Sequence, residues 1–194
     1  MLSLENVAVV LAIAYLLLAM RENILCWYAA FVSTAMYTVL FWQVNLLMES
    51  ALNVYYMGMA VYGWWQWKYG GTGHAGVPIQ RWAGRIHIRL ILGILGISAI
   101  SGWLLTQSTA AALPYLDSFT TWASVVTTYL VAKKVLENWL YWILIDTVSI
   151  GLYLDRGMQN TAILFLGYVI IAVFAFYSWR RQYQVKLASG ETPG

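Results

Sequence analysis

Long apolar runs separated by short polar segments follow one another along the whole chain. Seven of these runs, each about 17 to 22 residues long, match the length that a helix needs to cross the hydrocarbon core of a bilayer. They are predicted over residues 4–20, 24–42, 46–67, 86–106, 114–132, 135–154 and 160–179. A glycine-rich loop, residues 68–85, interrupts the series, and a polar tail follows the last run. The pattern predicts an all-α integral membrane protein with seven transmembrane helices.

Composition supports the same class and excludes others. Hydrophobic residues make up 61% of the 194 positions and charged residues only 10%, with a mean hydropathy of +0.66, whereas soluble domains carry roughly 25% charged residues. The net charge of +3 does not indicate nucleic-acid binding, because the basic residues are scattered between apolar runs. The single cysteine, Cys26, excludes an internal disulfide and a cysteine-based metal cluster, and its apolar surroundings predict a core position. We expect no metal and no cofactor.

The distribution of lysine and arginine predicts an orientation. With the N-terminus outside and the C-terminus in the cytoplasm, ten of the eleven basic residues fall on the cytoplasmic side, which is the positive-inside pattern of a bacterial inner membrane. The ten are Arg21, Lys68, Arg81, Arg85, Arg89, Lys133, Lys134, Arg180, Arg181 and Lys186, and Arg156 is the exception. The first six residues contain Glu5 and lack the basic residues of a signal peptide, so we expect the first run to be retained.

Two segments of the chain repeat later in the sequence. Residues 22–27 (ENILCW) align with residues 137–142 (ENWLYW) at a spacing of 115, and residues 59–67 align with residues 171–179 at a spacing of 112. Residues 1–67 and 107–179 are therefore predicted to be two three-helix units. They are joined by a cytoplasmic loop and linker helix, residues 68–106, and followed by a cytoplasmic tail, residues 180–194. Parallel repeats of this 3+1+3 kind occur in transporters, with the substrate near the midplane between the halves.

One acid lies unusually deep in an apolar run. On the sixth predicted helix, Trp139, Trp142 and Asp146 occur at i, i+3 and i+7 and so share a face. Acids at that depth usually face a bundle interior or a watery cavity, and two indoles with one anion suit a flat, cationic, water-soluble guest. The alternative is structural: the tryptophans could anchor at the membrane interface, and Asp146 could bond a neighbouring helix.

Further candidates for the same cavity lie on the second and third predicted helices. Asn53, Tyr56 and Ala60 follow one another at i, i+3 and i+7, and Thr34 and Tyr37, with Ser33 beside them, occupy the part of the first repeat that matches the sixth helix. Trp64 lies near the cytoplasmic end of its helix and is also explained as an interface anchor.

The sequence offers little support for other functional classes. His74 and His87 flank the loop rather than lying at depth, and no hydrolase or metalloprotease motif is present, so an enzyme is not expected. Asp117 opens the fifth run, where it could attract cations or cap the helix. No sizeable domain lies outside the membrane, which argues against a receptor.

Three groups of residues resemble a known family. Tyr62-Gly63-Trp64 with Trp67, the pair Asp117-Ser118, and the run Lys134 to Trp142 with its Glu-Asn-Trp-x-x-Trp core are similar to the Pnu family of vitamin transporters, which includes nicotinamide riboside and thiamine carriers. The resemblance covers nearly the whole chain. It implies a 3+1+3 fold related in plan to the SWEET sugar transporters, and facilitated diffusion of an unphosphorylated vitamin that a cytosolic kinase then traps. The sequence leaves a homo-oligomer open.

Two departures from the family pattern concern the substrate. Asn53 stands where nicotinamide riboside carriers typically have Gln, and Asp146 stands where many have Asn. Both vitamins carry a fixed positive ring charge, so Asp146 suits either as a counter-ion. Because thiamine lacks a ribose, the shorter amide of Asn53 favours thiamine as the expected substrate, with nicotinamide riboside, or proton-coupled uptake through Asp146, as the alternatives.

Overall fold

The computed structural model describes residues 4–43, 47–108, 113–155 and 157–189. Those residues form seven α-helices and one short 3₁₀ turn, Thr72–His74, which confirms the all-α prediction. The helices are α1 (Leu4–Met20), α2 (Cys26–Gln43), α3 (Leu47–Tyr69), α4 (Gly84–Ser108), α5 (Pro114–Ala132), α6 (Asn138–Asp155) and α7 (Gln159–Ala188). By length and mean hydropathy, Gly84–Gln107 and Gln159–Ala188 are long and apolar enough to cross a membrane.

Two helix boundaries differ from the prediction by three residues or more. Helix α7 continues through the first part of the tail to Ala188, because Arg, Gln, Lys and Leu all favour helix even where they are exposed. Helix α6 begins three residues later than predicted, at Asn138. The preceding residues form a tight turn in which Lys134 adopts a positive φ of 49°, a conformation that a helix interior does not allow.

Six of the helices form a closed ring. Helix α2 packs between α1 and α3, and α6 packs between α5 and α7; the ring closes because α3 contacts α5 and α1 contacts α7. Helix α4 lies outside the ring and packs mainly against α5. The space at the centre of the ring is therefore bounded by side chains from α1, α2, α3, α5, α6 and α7.

Most of the described basic residues lie at one end of this ring, which we call the basic end. There the α1–α2 turn, the C-termini of α3, α5 and α7 and the loop before α4 meet. Two indoles cross between neighbouring helices: Trp67 Nε1 of α3 donates to the Val131 carbonyl of α5 at 3.2 Å, and Trp179 Nε1 of α7 donates to the Ala19 carbonyl of α1 at 3.0 Å. Both indoles are buried, so the helix ends are fixed to one another.

A buried ion pair joins the two turns at the basic end. Lys134 Nζ lies 2.9 Å from Glu22 Oε2, and the two side chains are 11% and 13% exposed. Both residues have a positive φ, so each turn holds its charged side chain in a strained backbone conformation. The Lys134 ammonium also lies 4.6 Å from the centre of the Trp67 ring, where a cation–π contact adds to the pair.

The loop between α3 and α4 folds back onto the α5–α6 turn. The Gln80 backbone N–H donates to the Lys134 carbonyl, the Leu136 N–H donates to the Gln80 carbonyl, and Gln80 Nε2 donates to the Lys133 carbonyl at 2.7 Å. Next to this bridge, Arg81 Nε donates to Glu137 Oε1 at 2.7 Å. The loop is thereby anchored to the start of α6.

A close helix contact supports one wall of the central space. A Cβ added at Gly63 would overlap the six-membered ring of Trp27, whereas one added at Gly58, on the same helix, would meet nothing within 4 Å. Trp27 cannot easily retreat, because it is buried and packs edge-on against Trp67 at 5.3 Å between ring centres.

We expect Gly63→Ala to lower the thermal midpoint of the purified protein, by an overpacking cost of about 1 to 3 kcal/mol. Gly58→Ala is the matched control and should leave the midpoint unchanged or raise it, since alanine favours helix by about 1 kcal/mol. Thermal melting of both variants in the same detergent is the measurement. Equal midpoints for the two variants would contradict the contact.

Candidate functional site

The centre of the helix ring holds a cavity of about 290 Å³. All six ring helices contribute to its lining. The lining residues are Ala12, Tyr15, Leu16, Trp27, Ala30, Ser33, Thr34, Tyr56, Ser124, Thr128, Trp139, Trp142, Asp146, Phe165, Tyr168 and Ala172. The volume lies near the lower end of the range for small-molecule sites, so the cavity suits a compact guest.

Asp146 is the one charged residue of this lining within the described part of the chain. Its side chain is 5% exposed, and the described residues provide it with no hydrogen bond or ion pair. Among the described residues, no lysine, arginine or histidine lines the cavity beside it. A carboxylate buried among apolar groups without a partner is costly, so the site is prepared for a ligand that brings a positive charge or a hydrogen-bond donor.

Aromatic rings form much of the wall, and two of them have unused donors. Trp27 and Trp139 are almost fully buried, and neither indole N–H finds an acceptor among the described residues. Buried polar groups of this kind are rare in folded proteins and need an explanation. Because both indoles line the cavity, an oxygen or nitrogen acceptor on a bound ligand would satisfy them.

Three hydroxyl groups of the lining are already engaged as donors. Ser33 Oγ donates to the Ala8 carbonyl at 2.9 Å, Thr34 Oγ1 donates to the Ala30 carbonyl at 2.8 Å, and Thr128 Oγ1 donates to the Ser124 carbonyl at 2.8 Å. A hydroxyl whose proton is used retains lone pairs, so these three groups are left as acceptors for a ligand.

Four tryptophans separate the cavity from the basic end. Trp27 and Trp139 line the cavity, and Trp67 and Trp179 pack behind them. Successive ring centres along the series Trp27, Trp67, Trp179 and Trp139 are 5.3, 6.0 and 5.4 Å apart, with the two outer contacts edge-on. All four are buried, so the described conformation is closed at the basic end.

The structure brings together five of the nine residues that the sequence nominated. Trp139, Trp142, Asp146, Tyr56 and Thr34 all line the cavity. The three residues of α6 face the cavity together because of their helical spacing. Thr34 of α2 and Tyr56 of α3 reach it because of the way the first three helices pack. Contact of these residues with a substrate stays a prediction.

The other four nominated residues lie outside the lining. Ala60 is packed into the core that contains Trp27 and Trp67, so its small side chain supports the wall from behind. Trp64 packs against Tyr69, with Lys68 over its ring, and Tyr37 stacks on Phe41. Asn53 also does not border the cavity. Residues on the same face of a helix point in the same direction, but their spacing does not show how close each one comes to the cavity. Tyr56 therefore lines the cavity, whereas Ala60, four residues later on the same face, does not.

Sequence reasoning missed the contributions of α1, α5 and α7. The repeat spacing contained a usable signal: Tyr56 and Tyr168 are 112 positions apart, as are Leu16 and Thr128, and all four line the cavity. Applying the spacing to Tyr56 would have nominated Tyr168. Cys26 is fully buried in the core, as predicted.

Comparisons with known proteins cover most of the chain. The sequence is 21% identical to the nicotinamide riboside transporter PnuC of Escherichia coli K12 over 91% of this chain and 84% of that protein. It is 23% identical to the riboflavin/roseoflavin transporter RibM of Streptomyces davaonensis over 90% of this chain and 83% of that protein.

The fold is also shared with a solved structure. A crystal structure of the vitamin B3 transporter PnuC superposes with a TM-score of 0.72 and 20% identity, covering 92% of this chain and 80% of that one. The relatives are transporters rather than enzymes, and their family is one of membrane proteins. Because the nicotinamide mononucleotide transporter family matches residues 2–181, and because the fold and the relatives agree with that match, this chain belongs to that family of membrane transporters.

Proposed function

We propose that this protein carries an unphosphorylated, cationic vitamin across the membrane and binds it in the central cavity with Asp146 as the counter-ion. The observation that carries the proposal is a buried carboxylate without a protein partner, facing an aromatic cavity whose described lining contains no basic residue. A cationic ring between indoles gains about 0.5 to 2 kcal/mol per favourable face, and pairing with the carboxylate removes the cost of an isolated charge.

Nicotinamide riboside is the first candidate for the substrate. The sequence favoured thiamine, but the relatives are nicotinamide riboside and riboflavin transporters, and thiamine gains no support from them. A pyridinium riboside offers a positive ring for Asp146. Its carboxamide and ribose oxygens also offer acceptors for the unused N–H groups of Trp27 and Trp139.

The cavity argues against a phosphorylated substrate. A mononucleotide would place a phosphate dianion in a small cavity whose described lining includes an acid and no lysine or arginine. Anions without cationic partners are strongly disfavoured in such surroundings. Transport of the riboside, followed by phosphorylation by a cytosolic kinase, fits this charge pattern.

Riboflavin is the second candidate, because of the similarity to RibM. Its tricyclic ring is uncharged, so it would leave Asp146 without a counter-ion. Riboflavin could still accept hydrogen bonds from Trp27 and Trp139. The charge of the preferred ligand therefore distinguishes the two substrates.

We also propose the 3+1+3 plan, with the SWEET-like arrangement that it implies. The supporting observation is an exchange of contacts between the two units: Trp67 of the first unit donates to Val131 of the second, and Trp179 of the second donates to Ala19 of the first. The two donors, Trp67 and Trp179, are 112 positions apart, and so are the two acceptors, Ala19 and Val131. This is the spacing at which residues 59–67 repeat as residues 171–179.

The proposed orientation places the basic end in the cytoplasm of a bacterial inner membrane and the N-terminus outside. The grouping of Arg21, Lys68, Lys133, Lys134 and Arg180 at one end of the bundle supports it; Arg156, the predicted exception, lies outside the described residues. Coupling to a cytosolic vitamin kinase, and assembly into a homo-oligomer, remain proposals from the family resemblance.

Facilitated diffusion is the proposed mode of transport. Proton relays in carriers are built from chains of Asp, Glu and His residues, and the described lining holds no acid or histidine besides Asp146. In proteoliposomes, we expect internal nicotinamide riboside to rise to the external concentration and no further, with or without an inward proton gradient. Accumulation above the external concentration that depends on the gradient would instead establish proton coupling.

A binding titration tests the choice of substrate. We expect the purified protein to bind nicotinamide riboside at least tenfold more tightly than riboflavin and nicotinamide mononucleotide, measured by calorimetry or by quenching of tryptophan fluorescence. Thiamine belongs in the same titration as a second flat cation. Tighter binding of riboflavin than of both cations would overturn the proposed role of Asp146.

A further inference from the structure

A second cavity, of about 320 Å³, lies between α4, α5 and α6. It is on the opposite side of α6 from the central cavity, and none of its lining residues borders the central cavity. The lining residues are His87, Ile91, Ile94, Phe119, Ala123, Glu137, Leu140, Tyr141, Leu144 and Ile145. Leu140, Leu144 and Ile91 are about half exposed, so this cavity is a groove that opens toward the surrounding lipid.

The groove is polar at one end and apolar along the rest of its length. Its polar residues lie near the basic end: His87 is in the first turn of α4, Tyr141 is in the first turn of α6, and Glu137 directly precedes α6. From Glu137 to Ile145 the groove follows α6 for about 12 Å at the helical rise of 1.5 Å per residue. Such a shape matches an amphipathic molecule with one polar head and an aliphatic chain.

Two buried polar atoms at the polar end have no hydrogen bond within the described part of the chain. Glu137 Oε1 is bonded by Arg81, but Glu137 Oε2 is buried and has no hydrogen bond. His87 Nε2 is also buried without one and lies 3.7 Å from Oε2, which is beyond hydrogen-bond length. When His87 Nδ1 donates to the Tyr141 hydroxyl, 3.0 Å away, Nε2 is left with a lone pair.

A primary ammonium group would satisfy both atoms at once. It has three N–H donors and a positive charge that complements the Glu137 carboxylate. The guanidinium of Arg81, bound to the same carboxylate but 60% exposed, keeps further N–H donors for a phosphate beside the ammonium. The polar end thus presents an acceptor pair and a phosphate donor next to an apolar groove.

We propose that this groove binds a phospholipid whose headgroup carries a primary amine, as phosphatidylethanolamine does. The ammonium donates to Glu137 Oε2 and His87 Nε2, the phosphate faces Arg81, and one acyl chain follows Ile91, Ile94, Leu144 and Ile145. Phosphatidylcholine fits the same charges but has no N–H donor, and phosphatidylglycerol brings an anion without the ammonium.

The test uses the methylation series of the headgroup on the wild-type protein. We expect native mass spectrometry with short-chain lipids to show at least fivefold more bound phosphatidylethanolamine than phosphatidylcholine. The mono- and dimethylated lipids should fall in order between them. Equal retention across the series, or strongest retention of phosphatidylglycerol, would overturn the proposal.

Variants locate the site. Glu137→Gln should bring the ratio of ethanolamine to choline lipid close to one. Ile91→Trp should fill the groove and lower lipid retention severalfold, whereas Leu92→Trp, on the same helix but outside the lining and 64% exposed, should match wild type. If Glu137→Gln fails to fold, the variants Ile91→Trp and Leu92→Trp and the methylation series still test the proposal. Unchanged lipid retention in Ile91→Trp would show that the lipid binds elsewhere.

Discussion

Asp146→Asn should weaken the binding of nicotinamide riboside at least 30-fold. Truncating one member of a buried charge pair costs about 2 to 5 kcal/mol, because the cationic ring would remain desolvated without its counter-ion. Asparagine keeps the shape of the side chain, so the cavity itself should be preserved. The measurement is a calorimetric titration of the purified variant against wild type.

Two controls separate the charge effect from a loss of fold. Asp155→Asn makes the same substitution on the same helix at an exposed position and should bind like wild type. The dihydro form of the riboside keeps the skeleton but lacks the ring charge, so Asp146→Asn should change its affinity only severalfold. Equal losses for the charged and the neutral ligand would show that Asp146 acts by shaping the cavity rather than by its charge.

Lys134→Met should open the basic end of the bundle. The substitution leaves Glu22 buried without its partner, and breaking a buried ion pair costs about 3 to 5 kcal/mol. Cys26 is fully buried at the start of α2, beside the turn that carries Glu22, and it is the single cysteine of the sequence. We therefore expect its labelling by a small maleimide to accelerate at least tenfold, together with a lower thermal midpoint.

The matched control is Lys68→Met, which removes an exposed lysine at the same end and should leave the labelling rate of Cys26 unchanged. Glu22→Gln should resemble Lys134→Met. The double variant should lie closer to wild type than either single variant, because it leaves no unpaired charge. A labelling rate in Lys134→Met that equals wild type would mean that the ion pair does not hold the two turns together.

The order and number of helices follow from sequence, because length and hydropathy decide what can span a bilayer. The ends of the helices do not follow so directly. Hydropathy predicted that α6 begins at residue 135, where the apolar run starts. The positive φ of Lys134 instead places a turn there, and the helix begins at Asn138. The extension of α7 beyond Trp179 depends on the helix propensity of polar residues, and a prediction based on hydropathy does not take helix propensity into account.

The candidate site was partly predictable for a similar reason. Helical spacing alone grouped Trp139, Trp142 and Asp146 correctly around one cavity. Spacing could not show that Ala60 lies behind the wall of the cavity. Its position depends on how Trp27 of α2 packs against Gly63, which is on the same helix as Ala60. The unsatisfied indole N–H groups of Trp27 and Trp139 are a property of tertiary packing, and no sequence pattern indicates them.

A structure of the protein with nicotinamide riboside bound tests the central claim most directly. We expect the pyridinium ring in the central cavity, between Trp139 and Trp142, with its charged ring within about 5 Å of the Asp146 carboxylate, where opposite charges interact strongly. The carboxamide or ribose should accept a hydrogen bond from Trp27 or Trp139. A ligand bound outside this cavity, or one whose positive ring lies far from Asp146, would contradict the proposed mechanism of recognition.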